Sequence, residues 1–220
     1  MTLETPLHTY RRIRLHQVKE ALEKNNFEVY LVENQEEAKY VITTEILGKL
    51  QDIHRVARGD SLSFEATGML EFIRNDAAME CIDPFEDGLS EEVAYELGRQ
   101  ALLADLFFTG CNAVTESGML VNLDGWGNRV GGLTFGPRHV VVVVGRNKIV
   151  PDLESAMLRI KDYAAPVNAI RHQVKTPCVK TGSCEDCNSP ERICNSWTIT
   201  EKSYPKGRIQ VVLINEDLGI

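Results

Sequence analysis

The order of apolar segments predicts an α/β fold built on a mostly parallel sheet with helices on both faces. Short runs suited to strands recur at Glu28 to Val32, Ile53 to Ala57, Met79 to Ile82, Leu106 to Phe108 and His139 to Val144. Stretches with helical spacing or helix caps separate the first four, the alternation from which parallel sheets are built. The last two runs are almost continuously apolar, the mark of strands buried on both faces.

Each element has its own signal. From Pro6 to Asn26, Leu7, Tyr10, Ile13, Val18 and Leu22 recur near a 3.6 period among charged residues, which predicts an amphipathic helix. Asn34 and Glu37 form a capping box for a helix running to about Leu50. Gly59-Asp60-Ser61 then interrupts the chain before a helical stretch from Leu62 to Arg74. A loop leading into a helix aims backbone N–H groups and the positive helix end at an anion, and Ser61 serves equally as a plain N-cap. Ser90, followed by Glu91 and Glu92, starts a helix reaching about Leu103. Asp152 caps another, with Leu153, Ala156, Met157 and Ile160 on one face, and Pro166 breaks or restarts it. Trp197 to Lys202 and Arg208 to Ile214, joined by Pro205-Lys206-Gly207, read as a closing hairpin.

Size and charge narrow the functional classes. A chain of 220 residues is long enough for a substantial core and for a single domain over 1–220, with 175–196 as a cysteine-rich insertion. The net charge of −8 repels phosphate backbones, and the only basic cluster is Arg11, Arg12 and Arg14, so nucleic acid is not expected as a partner. No run of about 18 apolar residues occurs and Met1 to Pro6 lacks a signal-peptide core, so a cytoplasmic protein without a membrane span is expected. The oligomeric state stays open, a homo-oligomer included.

Between Phe108 and His139 lie seven glycines, Gly110, Gly118, Gly125, Gly127, Gly131, Gly132 and Gly136, with Asn112, Asn122, Asp124 and Asn128 among them. Such a stretch permits close backbone approach to a ligand, although Asp124-Gly125 is also an ordinary tight-turn signal. Neither a Gly-x-Gly-x-x-Gly nor a Walker A pattern is present, so the glycines alone do not indicate a nucleotide. Arg129 could fork onto a carboxylate or phosphate, or serve in a structural ion pair.

Cys178, Cys184, Cys187 and Cys194 gather four of the six cysteines into one short segment. In a reducing compartment that spacing points to a metal centre, either Zn²⁺ or a [4Fe–4S] cluster, since both accept four thiolates; the other reading is ordinary thiols with a redox Cys-x-x-Cys. Cys81, alone on a strand, reads as an inert core thiol.

Several linked motifs resemble the lactate-utilisation (LUD) domain family: Thr109 to Val130, Phe135 to Pro137, Asn147 to Val150 and Thr176 to Asn195, together about half the chain. The resemblance implies a role in or beside an iron–sulfur-dependent oxidation of lactate to pyruvate, with iron–sulfur oxidoreductase subunits as partners, and it tips the metal toward the cluster. It also implies a Gly-Gly-Ser loop where this sequence has Gly59-Asp60-Ser61. A more distant similarity, to the sugar-phosphate isomerase and CoA-transferase-like superfamily, places Glu116 of Thr115 to Gly118 where the transferases carry a nucleophile. In the first reading a small anionic ligand is bound by Gly59 and Ser61 together with Thr109, Gly110, Asn112, Glu116, Asn122, Asp124, Gly125, Gly127, Asn128 and Arg129 of the central loop. In the second, Glu116 acts as nucleophile or base of a stand-alone isomerase, hydrolase or acyl transferase. A third has the chain as a non-catalytic accessory subunit.

Overall fold

Thr5 opens the first helix because its hydroxyl accepts a hydrogen bond from the His8 amide at 3.3 Å, while Pro6 stands where a missing N–H is harmless. The architecture is that of a computed structural model describing residues 5–220; residues 1–4, part of the Met1 to Pro6 start considered above, lie outside the described residues. The first half runs α1 (Pro6–Lys24), β1 (Glu28–Val32), α2 (Gln35–Val41), β2 (Arg55–Arg58), α3 (Leu62–Glu65), α4 (Met69–Asn75), β3 (Glu80–Ile82) and α5 (Glu91–Gln100). Then follow β4 (Leu106–Gly110), β5 (Ala113–Thr115), β6 (Leu120–Asp124), α6 (Asn128–Thr134), β7 (His139–Gly145) and β8 (Ile149–Val150). The chain closes with α7 (Leu153–Arg159), α8 (Ala165–Arg171), α9 (Cys178–Thr181), β9 (Ser196–Thr200) and β10 (Ile209–Ile214).

The main sheet has six strands in the order β1-β10-β7-β4-β2-β3, and every pairing in it is parallel. Alternation along β7 divides two cores, as the period of two requires. Val140, Val142 and Val144 face Leu15, Val18 and Leu22 of α1, while Val141 and Val143 face Ile42, Phe64 and Met69. The α/β class and its helices on both faces are therefore as the apolar runs predicted. On α1, however, Leu7, Tyr10 and Ile13 are exposed, and the buried stripe is Leu15, Val18 and Leu22.

The closing hairpin is not formed. Strand β10 inserts in parallel between β1 and β7, and β9 pairs antiparallel with β6 in a second sheet of order β8-β5-β6-β9. The reason is burial: all six residues of β10 are buried, so it needs a neighbour on each side, whereas β9 is partly exposed and suits an edge. Two smaller corrections follow from backbone geometry. The helix expected over Leu62 to Arg74 splits into α3 and α4, with Gly68 in the left-handed region between them. The glycine-rich stretch after Phe108 folds into β5, β6 and α6, and β4, which feeds it, lies inside the sheet. Pro166 restarts the helix: α7 passes through a wide turn at Ile160–Ala164 into α8. No helix among the described residues is long and apolar enough to cross a membrane.

The ring of Phe108 is fully buried and stacks on Phe64 with centroids 4.9 Å apart, fastening α3 to the sheet. Replacing Phe108 by alanine is expected to cost about 3–5 kcal/mol of stability in urea unfolding. A loss under about 1 kcal/mol would show that the site collapses around the missing ring.

Candidate functional site

In an open α/β sheet the carboxyl ends of adjacent strands leave a crevice, because each strand hands over to a helix or turn that diverges from its neighbour's. Here the ends of β2, β4 and β7 supply Asp60 and Ser61, Gly110 to Asn112, and Lys148, and the chain terminus Ile220 follows β10. Together they floor a cavity of about 360 Å³. Its other walls come from the turn between β6 and α6, from the helical segment ending in α8, and from Val174, Ile193 and Cys194 of the cysteine-rich segment.

One wall is a hydrogen-bonded polar frame that leaves one buried donor, Asn122 Nδ2, without a partner among the described residues. The Arg129 guanidinium donates to Asn122 Oδ1 at 2.9 Å, to Asn112 Oδ1 at 2.9 Å and to the Leu123 carbonyl at 3.0 Å. The same asparagine oxygens accept from the Asn112 and Leu123 amides, at 3.1 and 2.9 Å. Asp124 anchors the start of α6, with one carboxylate oxygen accepting from the amides of Arg129 and Val130 at 3.0 and 3.1 Å. Gly127, at φ 88°, makes the left-handed turn that brings those amides round. Asn128 and Gly125 line the cavity beside them.

The opposite side is tightly packed. A Cβ on Gly110 would stand 2.5 Å from Ser61 Oγ, so only glycine lets the β4 end approach this serine. The Ser61 hydroxyl caps α3 by accepting from the Phe64 amide at 3.2 Å, and the residue also lines the cavity, so both of its readings hold a place. Gly59 lies against Thr109 and Arg129, and Thr109 is fully buried, its hydroxyl donating to the Gly110 carbonyl at 3.2 Å. Of the residues expected to meet a ligand, Ser61, Gly110, Asn112, Asp124, Gly125, Asn128 and Arg129 line the cavity. Gly59, Thr109, Asn122 and Gly127 are not among its lining residues.

Glu116 is elsewhere. Its turn docks on α1, where Asn25 donates to the Ser117 and Gly118 carbonyls at 2.9 and 3.0 Å. The Glu116 carboxylate pairs with Arg14 at 2.7 Å and is not among the cavity-lining groups.

Three features of the cavity lay outside the sequence-derived set. Asp60 bonds Arg171 and, at 2.8 Å, His172 Nε2. Burial opposes its charge, but the His172 hydrogen bond and the Arg171 charge outweigh that and hold the carboxyl below its usual range. Arg159 donates to the Asn112 carbonyl at 2.7 Å, tying α7 to the β4 end. Lys148 is the third. It is 5% exposed, donates to Ser63 Oγ at 2.8 Å, and has no carboxylate within ion-pair distance among the described residues. Burial pushes its pKa down to about 7; the Cys111 thiol nearby opposes the shift, while Arg159 and Arg129 add to it. The only signal in the sequence was its position, in the polar turn that follows the apolar run of β7.

The four clustered cysteines all line a second, small pocket, of about 20 Å³, beside Ala165, Pro166, Ala169 and Ile193. All are free thiols, and among the described residues no three His, Cys, Asp or Glu side chains converge closely enough to hold a metal ion.

These features define an α/β domain with a ligand-sized cavity at the carboxyl ends of its parallel strands and a separate thiol nest. A family model described as the LUD domain matches residues 15–214, and the chain belongs to that family. Among solved structures, it is similar to a DUF162 family protein from Deinococcus radiodurans, at 16% identity and a TM-score of 0.49, covering 93% of this chain and 98% of that one. It is also similar to a D-ribose-5-phosphate isomerase in complex with phospho-erythronic acid, at 17% identity and a TM-score of 0.32, covering 55% of this chain and 56% of that one. No curated protein matches the sequence.

Lys148 makes stability depend on pH. The unfolded chain holds its proton up to the ordinary value of 10.5, the folded chain only below about 7, so folding expels a proton in that window. The penalty is complete below pH 7 and relaxes as pH rises toward 10.5. Lys148→Met is accordingly expected to be more stable than the parent at pH 7, with the advantage shrinking toward pH 10.5 in urea unfolding. An advantage independent of pH would place this amine in water.

Proposed function

We propose that the cavity binds a small anionic ligand, and that the protein acts in or beside an iron–sulfur-dependent oxidation of lactate to pyruvate. Membership of the LUD family makes the chain a lactate-utilisation-related protein. The observation that supports the ligand is Lys148: a buried amine at the cavity floor, without a carboxylate partner among the described residues and with Arg129 and Arg159 close enough to disfavour its charge. Burying such a group is costly unless something of opposite sign compensates it. A carboxylate in the cavity supplies that sign, restores the full charge of the ammonium, and gains a hydrogen bond shortened by charge.

The surrounding groups fit a short hydroxy or oxo acid. The frame made by Arg129, Asn112, Asn122 and Asp124 is tied together by its own hydrogen bonds, so it shapes the wall without having to reorganise, while the buried Asn122 Nδ2 has no partner among the described residues. At the rim, Asp60, Arg171 and His172 provide a carboxylate, a guanidinium and an imidazole within reach of a ligand hydroxyl. In this reading the electrons leave through iron–sulfur partner subunits, and the chain contributes binding and orientation. A nucleophilic Glu116 draws no support from the geometry, since its carboxylate is held by Arg14 outside the cavity.

Isothermal titration with lactate, pyruvate and inorganic phosphate tests this directly. An anion beside Lys148 raises that group's pKa from about 7, so binding just above pH 7 is expected to take up a proton, seen as a heat that varies with the buffer's ionisation enthalpy. Affinity should then fall as pH climbs through the raised value, and Lys148→Met should weaken binding by about 2–5 kcal/mol. Flat titrations with every anion, or undiminished affinity in the variant, would remove the proposal.

A further inference from the structure

An amine attacks a carbonyl when it has shed its proton, when its electron pair is free, and when a small molecule can reach it. Lys148 meets these conditions through its surroundings. It stands in the short turn Arg146–Lys148 that follows β7, is buried, and belongs to the floor of the cavity.

The hydrogen bonds around its nitrogen fix the amine without using its electron pair. Lys148 Nζ donates to Ser63 Oγ at 2.8 Å, and the Ser63 hydroxyl donates in turn to the Leu218 carbonyl at 3.1 Å. A hydroxyl has one proton to give. Because that proton is directed at Leu218, the serine accepts from the lysine and offers it nothing, so an uncharged amine held there keeps its electron pair available. Gly219, at φ 66°, packs against the same pair, and a Cβ on it would lie 3.2 Å from Nζ. The amine is therefore held in place, unlike that of a surface lysine on its flexible stem.

The charges nearby favour the uncharged form. Burial pushes the Lys148 pKa down to about 7, the Cys111 thiol opposes the shift, and Arg159 and Arg129 add to it, while no carboxylate acts on it among the described residues. Near pH 7 a large share of these amines thus carries no proton, whereas an exposed lysine keeps its own far above that pH.

A 2-oxo acid brings the matching partner. Its carboxylate and carbonyl sit on adjacent carbons, so a carboxylate drawn to Lys148 sets the carbonyl beside the same nitrogen. The cavity, about 360 Å³, has room for it, and Arg129 and Asn128 line the same space.

We propose that Lys148 forms an imine with 2-oxo acids in the cavity, an inference that rests on reading the cavity as a site for small carboxylates. Nζ adds its electron pair to the carbonyl carbon to give a carbinolamine. The former carbonyl oxygen then leaves as water with both hydrogens of the amine, and a C=N bond remains. Protonated, the imine nitrogen is again a cation beside the ligand's carboxylate, so the charge pairing is kept. A hydroxy acid such as lactate has no carbonyl and is held by charge alone. The site thus separates an oxo acid from its hydroxy counterpart by a covalent bond, a distinction that two molecules of nearly equal size do not offer through shape.

The test uses the full chain, mixed with pyruvate near pH 7 and quenched with sodium borohydride, which reduces an imine to a stable secondary amine. The intact mass should rise by a single reduced pyruvate adduct, and peptide mapping should place it on Lys148 and not on exposed lysines such as Lys175 and Lys206. Lactate alone should give no adduct, and lactate in excess should lower the yield with pyruvate severalfold. Lys148→Arg keeps a cation at the floor but cannot form the bond, and its adduct should fall to background. A parent chain that binds pyruvate in a calorimetric titration yet shows no adduct on Lys148 would overturn the imine and leave the anion site standing. An adduct spread evenly over exposed lysines would overturn it as well, and a chain that binds no carboxylate at all would remove both readings. Because the adduct is mapped on the parent, a variant that fails to fold, recognised by circular dichroism, leaves the test intact.

Discussion

Strand β7 has hydrogen-bonded neighbours on both sides and a hydrophobic core on each face, so five successive valines and the backbone between them are removed from water together. Its pairings are parallel, and a parallel sheet needs both of its faces covered, here by helices. Placing β10 on one side and β4 on the other follows from the same demand, since each is itself buried along its whole length. The carboxyl ends of these central strands then come together at one edge of the sheet, and the cavity opens there. Its location is thus a by-product of the way the core is closed.

At that edge the polar groups divide into two kinds. Arg129, Asn112, Asn122 and Asp124 bond one another and the backbone around them, with Asn122 Nδ2 left unpartnered among the described residues, and in doing so they fix β6 and α6 as a rigid wall. Lys148 finds the Ser63 hydroxyl and, among the described residues, no carboxylate within ion-pair distance. The contrast separates scaffold from site: a densely bonded network in a low dielectric gains rigidity, and a buried cation there favours a counter-charge from outside the chain. The Asp60, Arg171 and His172 group lies between these extremes, balanced in charge yet open to the cavity.

Much of this was legible from residues alone. The caps at Asn34, Ser61, Ser90 and Asp152 act where local chemistry put them, each accepting from an amide a few residues on, because capping needs only neighbours in the chain. The glycine-rich stretch was recognisable as special, but its partners were not. Whether Asn122 faces a ligand or Arg129 depends on a pairing of β5 with β6 that places residues seven to seventeen positions apart against one another. The hairpin expectation failed for a related reason. Proximity in sequence favours pairing β9 with β10, and only the competition for buried positions beside β1 and β7 sends β10 to the main sheet.

By itself the sequence determined the α/β class, the alternation of strands and helices up to β4, most helix starts and the grouping of four thiols, because each depends on periodicity, caps or spacing within a few residues. Tertiary structure decided the strand order, the removal of Glu116 from the cavity, the burial of Lys148 at the cavity floor, and the wall shared by the thiol nest. Those are outcomes of packing between segments far apart in the chain. Burial, charge and access are properties of what surrounds a residue, and its surroundings exist only once the sheet has closed.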